Sequence, residues 1–417
     1  VRLPETTDLE TIDAGIAACQ EKRERLEKSL DRKAGDEERI GTRVEQLMFA
    51  ADLVRTRESM GETQHLCYLE GYVPARNIDA LRDAAREYGW GILSVDPAPD
   101  DPNVPTKITL PRWAEPIRVV FQAMGITPGY REIDISPWFM IFLSIFFAML
   151  FGDAGYGTLF LLATLGARRL WPKAPPQPFW LMGVFAVCTI VYGALTGTYF
   201  GVQPGQPLLP QSVVQYMRDD TNVQRLCFLL GAIHLTIAHA WNALVYGRSP
   251  KALSELSWIA VLWGNYVLAR MLVLSESADP NILMALYAPG LAGIVLFSKP
   301  SRNPLKLIAG GVGVLLLGIV NSFVDLVSYI RLYAVGSATV AVATSFNNMA
   351  LGLPPWSMYT LGILILLLGH SLNILLGAMS VLVHGVRLNV LEFSQHLCME
   401  WSGRDYRPLA KPKQPEP

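Results

Sequence analysis

The chain has 417 residues, 51% of them hydrophobic, with a mean hydropathy of +0.29 and a formal net charge of −1. Charged residues make up only 17% of it, against roughly 25% in an average soluble protein. The near-neutral balance gives no sign of nucleic-acid binding.

The charges are unevenly spread. Residues 1–60 hold 25 of them, and long stretches after Pro137 hold almost none. That asymmetry implies a soluble, charge-rich N-terminal region followed by a membrane region. The five cysteines, Cys19, Cys67, Cys188, Cys227 and Cys398, are far apart and lack metal-ligand spacing, so neither a disulfide framework nor a zinc site is expected. The chain opens on Val1 within a charged region. No signal peptide is read, and either an alternative start codon or a missing N-terminal part is expected.

In chain order, apolar Leu9, Ile12, Ile16, Cys19, Leu26 and Leu30 predict a helix over 9–33. Ala34-Gly35-Asp36 predicts a break, and Ile40, Val44, Leu47, Met48 and Val54 predict a second helix over 37–60. Together they read as an antiparallel coiled-coil hairpin, a solvated arm able to dock a partner. Strands are expected at 65–73 and 90–95 around a helix at 74–88, a βαβ-like fragment too small to fold well alone. It is expected to complete a small α/β domain whose other half is absent. The Pro- and Asp-rich 96–111 reads as a linker.

Eight apolar segments follow: 137–151, 154–171, 178–200, 224–246, 255–274, 282–298, 315–351 and 357–397. The first two are short for a hydrocarbon core about 30 Å thick; the last two exceed about 20 residues, so they tilt or extend beyond it. Lys and Arg collect in alternate loops. Arg168, Arg169 and Lys173 follow segment two; Arg248 and Lys251 follow segment four; Lys299, Arg302 and Lys306 follow segment six; Arg404, Arg407, Lys411 and Lys413 occupy the tail. By the positive-inside rule both termini are expected in the cytoplasm. The expected fold is mainly α: a polytopic membrane helix bundle of about eight segments, the last two long and tilted, with an N-terminal helical hairpin and a small α/β region. The expected domains are 1–110 cytoplasmic, 111–136 linker, 137–400 membrane and 401–417 cytoplasmic tail.

Arg331 stands out. It has apolar residues for more than two helical turns on both sides, with Asp325 before it and Asn347 and Asn348 after it. An arginine stays charged at any accessible pH, so it must face water, a carboxylate or polar protein. It either forms a structural ion pair, with Asp325 or another carboxylate, or acts in an ion path. The small residues Ala334, Gly336, Ser337, Ala338, Ala341 and Ala343 suit a surface that slides against a partner.

Arg387, three residues after His384 and five before Glu392, is either a second such charge or an ordinary one near the cytoplasmic face. Asp153, in the Gly-rich turn 151–157, either lines an aqueous vestibule or caps a helix. His234 and His239 do not share a helix face well, which speaks against a metal pair, and Arg270 is expected to snorkel outward. No P-loop, Rossmann fingerprint or nucleophile motif is present, so no nucleotide site, covalent catalysis or cofactor is expected.

The segments FGDAGYGTLF, SFVDLVSYIRLYAVGSATVA and LVHGVRLNVLEF, followed by SGRDYRPL, resemble the a subunit (subunit I) of V/A-type rotary ATPases. LEGYVP with its following helix is similar to the end of that family's cytoplasmic domain. The resemblance implies a non-catalytic stator in the prokaryotic cell membrane, with peripheral stalk subunits, a rotating proteolipid (c/K) ring and a central-stalk-linked ATPase as partners, and membrane lipid around it. It implies that Arg331 meets the ring carboxylate and that Arg387 is the second arginine of the last helix. Two offset half-channels for H+ or Na+ would be lined by candidates Asp325, Ser328, Asn321, His384, Glu392 and Asp153. Thr339 and Leu317 stand where some relatives carry a histidine and a glutamate. An independent transporter or channel, with the arginines at its substrate site, is the alternative, although no clear internal repeat supports it.

Overall fold

A computed structural model describes residues 9–63, 65–98, 101–205, 209–299 and 303–409, with backbone only at 9–19, 30–38 and 304. Two compact units emerge, one from Val1–Pro99 with Asp405–Pro417, the other from Asp100–Arg404.

In the first unit α1 runs unbroken over Leu9–Glu58, 50 residues or about 75 Å. This corrects the expected hairpin. Gly35 inside an exposed helix costs about 1 kcal/mol relative to Ala, too little to stop a helix flanked by strong helix formers. Of the apolar positions that suggested pairing, Ile40, Val44, Leu47, Met48 and Val54 are exposed. The side chains of Leu9, Ile12, Ile16, Cys19 and Leu30 lie outside the described residues. β1 (Gly61–Glu62) pairs antiparallel with β2 (Cys67–Tyr68), and α2 (Ile78–Tyr88) follows. The strand expected at 90–95 does not form; among the described residues the segment bonds to no strand.

The first α-helix of the second unit is α3 (Arg118–Met124). Residues 111–136, expected as a linker, carry buried Ala114, Ile117 and Phe121, and Phe121 packs edge-on to Phe139 with ring centroids 5.0 Å apart. Next come α4 (Ser136–Phe151), α5 (Ala154–Leu170), α6 (Pro176–Thr196), α7 (Gln211–Arg218), α8 (Asp220–Tyr246), α9 (Pro250–Val273), α10 (Pro280–Phe297), α11 (Pro304–Val327) and α12 (Ile330–Leu351). A C-terminal helix spans Pro355–His396. Side chains of Asp219, Ser249, Asp279 and Asn303 accept the free N–H groups that begin α8 to α11.

Among the described residues six helical runs are long and apolar enough to cross a bilayer: Pro176–Thr196, Asp220–Tyr246, Pro250–Val273, Pro280–Phe297, Leu305–Leu351 and Pro355–His396. The two segments expected to be short, α4 and α5, have 16 and 17 residues, about 24 and 26 Å. The chain is a membrane protein built mainly of helices.

α4 is the centre of this unit. Phe139, Phe142, Phe146, Phe147 and Phe151 are all buried, and Phe147 stacks on Phe185 of α6. α12 and the C-terminal helix pack on α4 and on each other. Gly336 lets α12 approach closely: a Cβ there would lie 2.4 Å from the Met149 carbonyl oxygen. By contrast Leu316, Leu317, Val320 and Val324 of α11 are exposed, as suits a surface turned to lipid or to another subunit.

Candidate functional site

The long run 305–351 is interrupted at Ser328-Tyr329, between α11 and α12. Arg331 sits just after this turn. Its Nε donates to the Ser328 carbonyl at 3.0 Å, and its Nη2 to Glu392 Oε1 of the C-terminal helix at 2.7 Å. Arg387 Nε lies 3.5 Å from the same Oε1. One carboxylate oxygen thus serves two guanidinium groups. Glu392 is almost wholly buried, Arg331 partly and Arg387 about half exposed. The cluster holds two positive charges against one negative.

The backbone explains how Arg387 and Glu392 meet. Five residues apart on an ordinary α-helix, they point about 140° from each other. Here Val381–Gly385 and Leu388–Phe393 are π turns, whose i→i+5 bonds widen the helix and change the facing. Four buried side-chain atoms in this stretch have no hydrogen-bond partner among the described residues: His384 Nδ1, Asn389 Nδ2, Asn389 Oδ1 and Glu392 Oε2.

The other anticipated residues separate. Asp325 does not pair with Arg331; its Oδ2 lies 3.2 Å from His396 Nε2. Ser328 contributes its carbonyl, while its hydroxyl donates to Asp325 O at 2.7 Å. Asn321 is exposed, and Leu317 is 76% exposed, pointing away from the core. Asp153 caps α5. Its Oδ1 accepts from the N–H groups of Gly155, Tyr156 and Phe200, and its Oδ2 from that of Gly201 at 2.6 Å. Of the small residues on α12, Ala334, Ser337, Ala338 and Ala341 are exposed, whereas Gly336 and Ala343 pack inward.

Several polar pairings were missed in the sequence because the partners are distant along it. About 24 Å along α12 from Arg331, Asn347 Oδ1 lies 3.1 Å from His370 Nε2, and His370 Nδ1 lies 2.7 Å from Tyr156 Oη. Asn373 donates to Tyr156 Oη and to the Thr339 carbonyl, both at 3.0 Å. His234 Nδ1 meets Tyr329 Oη at 2.8 Å beside the α11–α12 turn.

Arg270, expected to snorkel, has a carboxylate partner. It pairs with Glu276 at 2.5 Å, and Glu276 also pairs with Arg225. Burial pushes the Glu276 carboxyl up, but hydrogen bonds and charge from Arg225 and Arg270 outweigh it and hold the group below the usual carboxylate range.

No protein-family model matches the chain. It is 36% identical over 373 residues to the V-type ATP synthase subunit I of Borreliella burgdorferi, an alignment covering 84% of this chain and 61% of that one. It is also 36% identical over 387 residues to V-type ATP synthase subunit I 1 of Treponema pallidum, covering 88% of this chain and 61% of the relative. With the A-type ATP synthase subunit I of Archaeoglobus fulgidus it shares 26% identity over 401 residues, 83% of this chain and 58% of the relative. The chain therefore spans about three fifths of the length of these relatives. By sequence and by its helical membrane architecture, this chain belongs to the V/A-type ATP synthase subunit I family.

Proposed function

We propose that this chain is the membrane stator of a V/A-type ATP synthase or ATPase. It forms ion half-channels against a rotating proteolipid ring and couples H+ or Na+ movement to rotation, without an ATP site of its own. It sits in the cell membrane with both termini cytoplasmic, as the alternating loop charges suggest. Arg302, Lys411 and Lys413, which contribute to that alternation, lie outside the described residues. Peripheral stalk subunits and the central-stalk-linked ATPase complete the assembly.

The observation that carries this reading is the arrangement around Arg331. A permanent cation stands within a 47-residue apolar run, partly exposed, on an internal carboxylate whose second oxygen has no partner among the described residues. A charge inside an apolar run is expensive, so one kept there points to an ion path even where a carboxylate offsets part of the cost. The exposed small side chains of Ala334, Ser337, Ala338 and Ala341 continue from it along α12 and suit close passage of another helix.

The electrostatics give the mechanism. A ring carboxylate crosses lipid only when protonated or otherwise neutralised, because a bare carboxylate is too costly there. Near Arg331 the cation favours its ionised form, so it releases its ion. Arg331 also keeps the two half-channels apart, since a fixed positive charge repels a cation passing directly between them. Arg387, Glu392, His384 and Ser328 line this centre, with Asp325 and Asn321 one to three turns before it on α11. Asp153 is a brace for α5 in this scheme. The polar groups lacking partners among the described residues on the C-terminal helix support entry of water or ring groups there.

Arg331→Lys tests the reading. It keeps the charge but loses the planar fork. ATP-driven ion uptake by the reconstituted complex is expected to be lost, with the complex still assembled. Near-normal uptake would show that Arg331 has no such role.

A further inference from the structure

Away from the Arg331–Glu392 pair, four titratable side chains form a continuous row across four helices. Glu255, near the start of α9, places Oε2 2.7 Å from His239 Nδ1 of α8. His239 Nε2 lies 2.9 Å from His396 Nδ1 at the end of the C-terminal helix. His396 Nε2 lies 3.2 Å from Asp325 Oδ2 of α11. Each imidazole therefore uses both ring nitrogens in line. The middle of the row is drier than its ends: side-chain exposure is 17% at Glu255, 7% at His239, 11% at His396 and 20% at Asp325. Trp258 stacks over His239, and the Asn242 amide donates to the His396 carbonyl at 2.8 Å. The His234–Tyr329 pair is a separate contact.

Counting hydrogens gives the row a property that no single contact shows. It has three contacts, and each takes one hydrogen. Ionised carboxylates bring none and each neutral imidazole brings one. Two hydrogens for three contacts leave one contact unfilled, so the fully bonded row carries one additional proton. With that proton on Glu255, each hydrogen can cross its own contact. Glu255 O–H passes to His239 Nδ1, His239 Nε2–H to His396 Nδ1, and His396 Nε2–H to Asp325 Oδ2. Three bonds break, three form, and the net result is a proton moved from Glu255 to Asp325, with no electron transferred. Tautomer exchange in the two rings then resets the row.

We propose that Glu255, His239, His396 and Asp325 are a proton relay between the Arg248–Lys251 end of the unit and the Arg331 centre, and hence that the coupling ion is H+ and not Na+. The central link is two nitrogen atoms in hydrogen-bond contact, which pass a proton but leave no room for a metal cation. The inference rests on the function proposed above and names the path and ion of that site.

The test uses the complete ATPase reconstituted into vesicles, with ATP-driven acidification and ATP hydrolysis read together. His239→Gln and His396→Gln keep one donor and one acceptor but cannot relay a proton through the ring. Acidification per assembled complex is expected to fall on the order of tenfold or more. In His396→Ala, added imidazole should restore it, which a merely structural role would not allow. Acidification by the native complex should be independent of added Na+. Should His396→Gln fail to assemble, Glu255→Gln at the more exposed end is expected to show the same fall. Normal acidification in the assembled Gln variants, absence of imidazole rescue, or a requirement for Na+ overturns the relay. Arg331→Gln separates the two ideas: if it also pumps normally, the stator reading itself fails; if it abolishes pumping while the relay variants pump normally, only the relay is wrong.

Discussion

Asp153 and Glu392 are both nearly buried carboxylates in the membrane unit, and they are held in opposite ways. All of Asp153's partners are backbone N–H groups, fixed in place by α5 and by the 200–201 turn. Such an acceptor is saturated and has no second state. Glu392 is held by two long, rotatable guanidinium side chains on one oxygen, and its other oxygen is unpartnered. The kind of partner, more than burial, separates a brace from a group that can exchange.

The largest expected effect breaks the comparison on the Glu392 side. Arg331→Gln should abolish coupled ion transport, a loss on the order of a hundredfold or more, while the complex still assembles; transport assays on purified complex decide it. On the other side, Asp153→Ala strands four N–H groups and should destabilise the chain by roughly 3–5 kcal/mol. It should lower the yield of assembled complex but leave turnover per complex unchanged, and a normal yield with lost turnover would reverse the roles assigned to the two carboxylates. Gly336→Leu forces α12 off the Met149 carbonyl and should cost about 1–3 kcal/mol in thermal stability.

The smallest effect concerns Glu276. Its carboxyl is held below its usual range by Arg225 and Arg270, so its contribution is fully present above the unfolded value of about 4.3 and is lost as pH falls through the lower folded value. Native protein should lose stability relative to Glu276→Gln only in that acid window, as thermal unfolding between pH 3 and 7 would show.

Much of the membrane unit was legible because lipid imposes long apolar runs. Helices cover the apolar segments, six helical runs among the described residues being long and apolar enough to span a bilayer, and Arg331 was visible as a charge out of place, with Glu392 a candidate near Arg387. Their pairing was not, because Glu392 is 61 residues away in sequence and its aim depends on π turns that leave no clear residue signature. The His239–His396 contact joins residues 157 apart, so no local spacing reveals it. The hairpin expectation over 9–60 erred for the opposite reason: Gly35 is a strong local signal but a weak energetic one.

The shared oxygen of Glu392 has a kinetic meaning. If Arg331 swings to an approaching anion, Glu392 still has Arg387, and no charge is left alone in a poorly solvated place. A single arginine on a single glutamate would have to pass through a bare carboxylate. With two, one guanidinium holds Glu392 while the other leaves, which on the proposed function keeps the barrier to each ring step low.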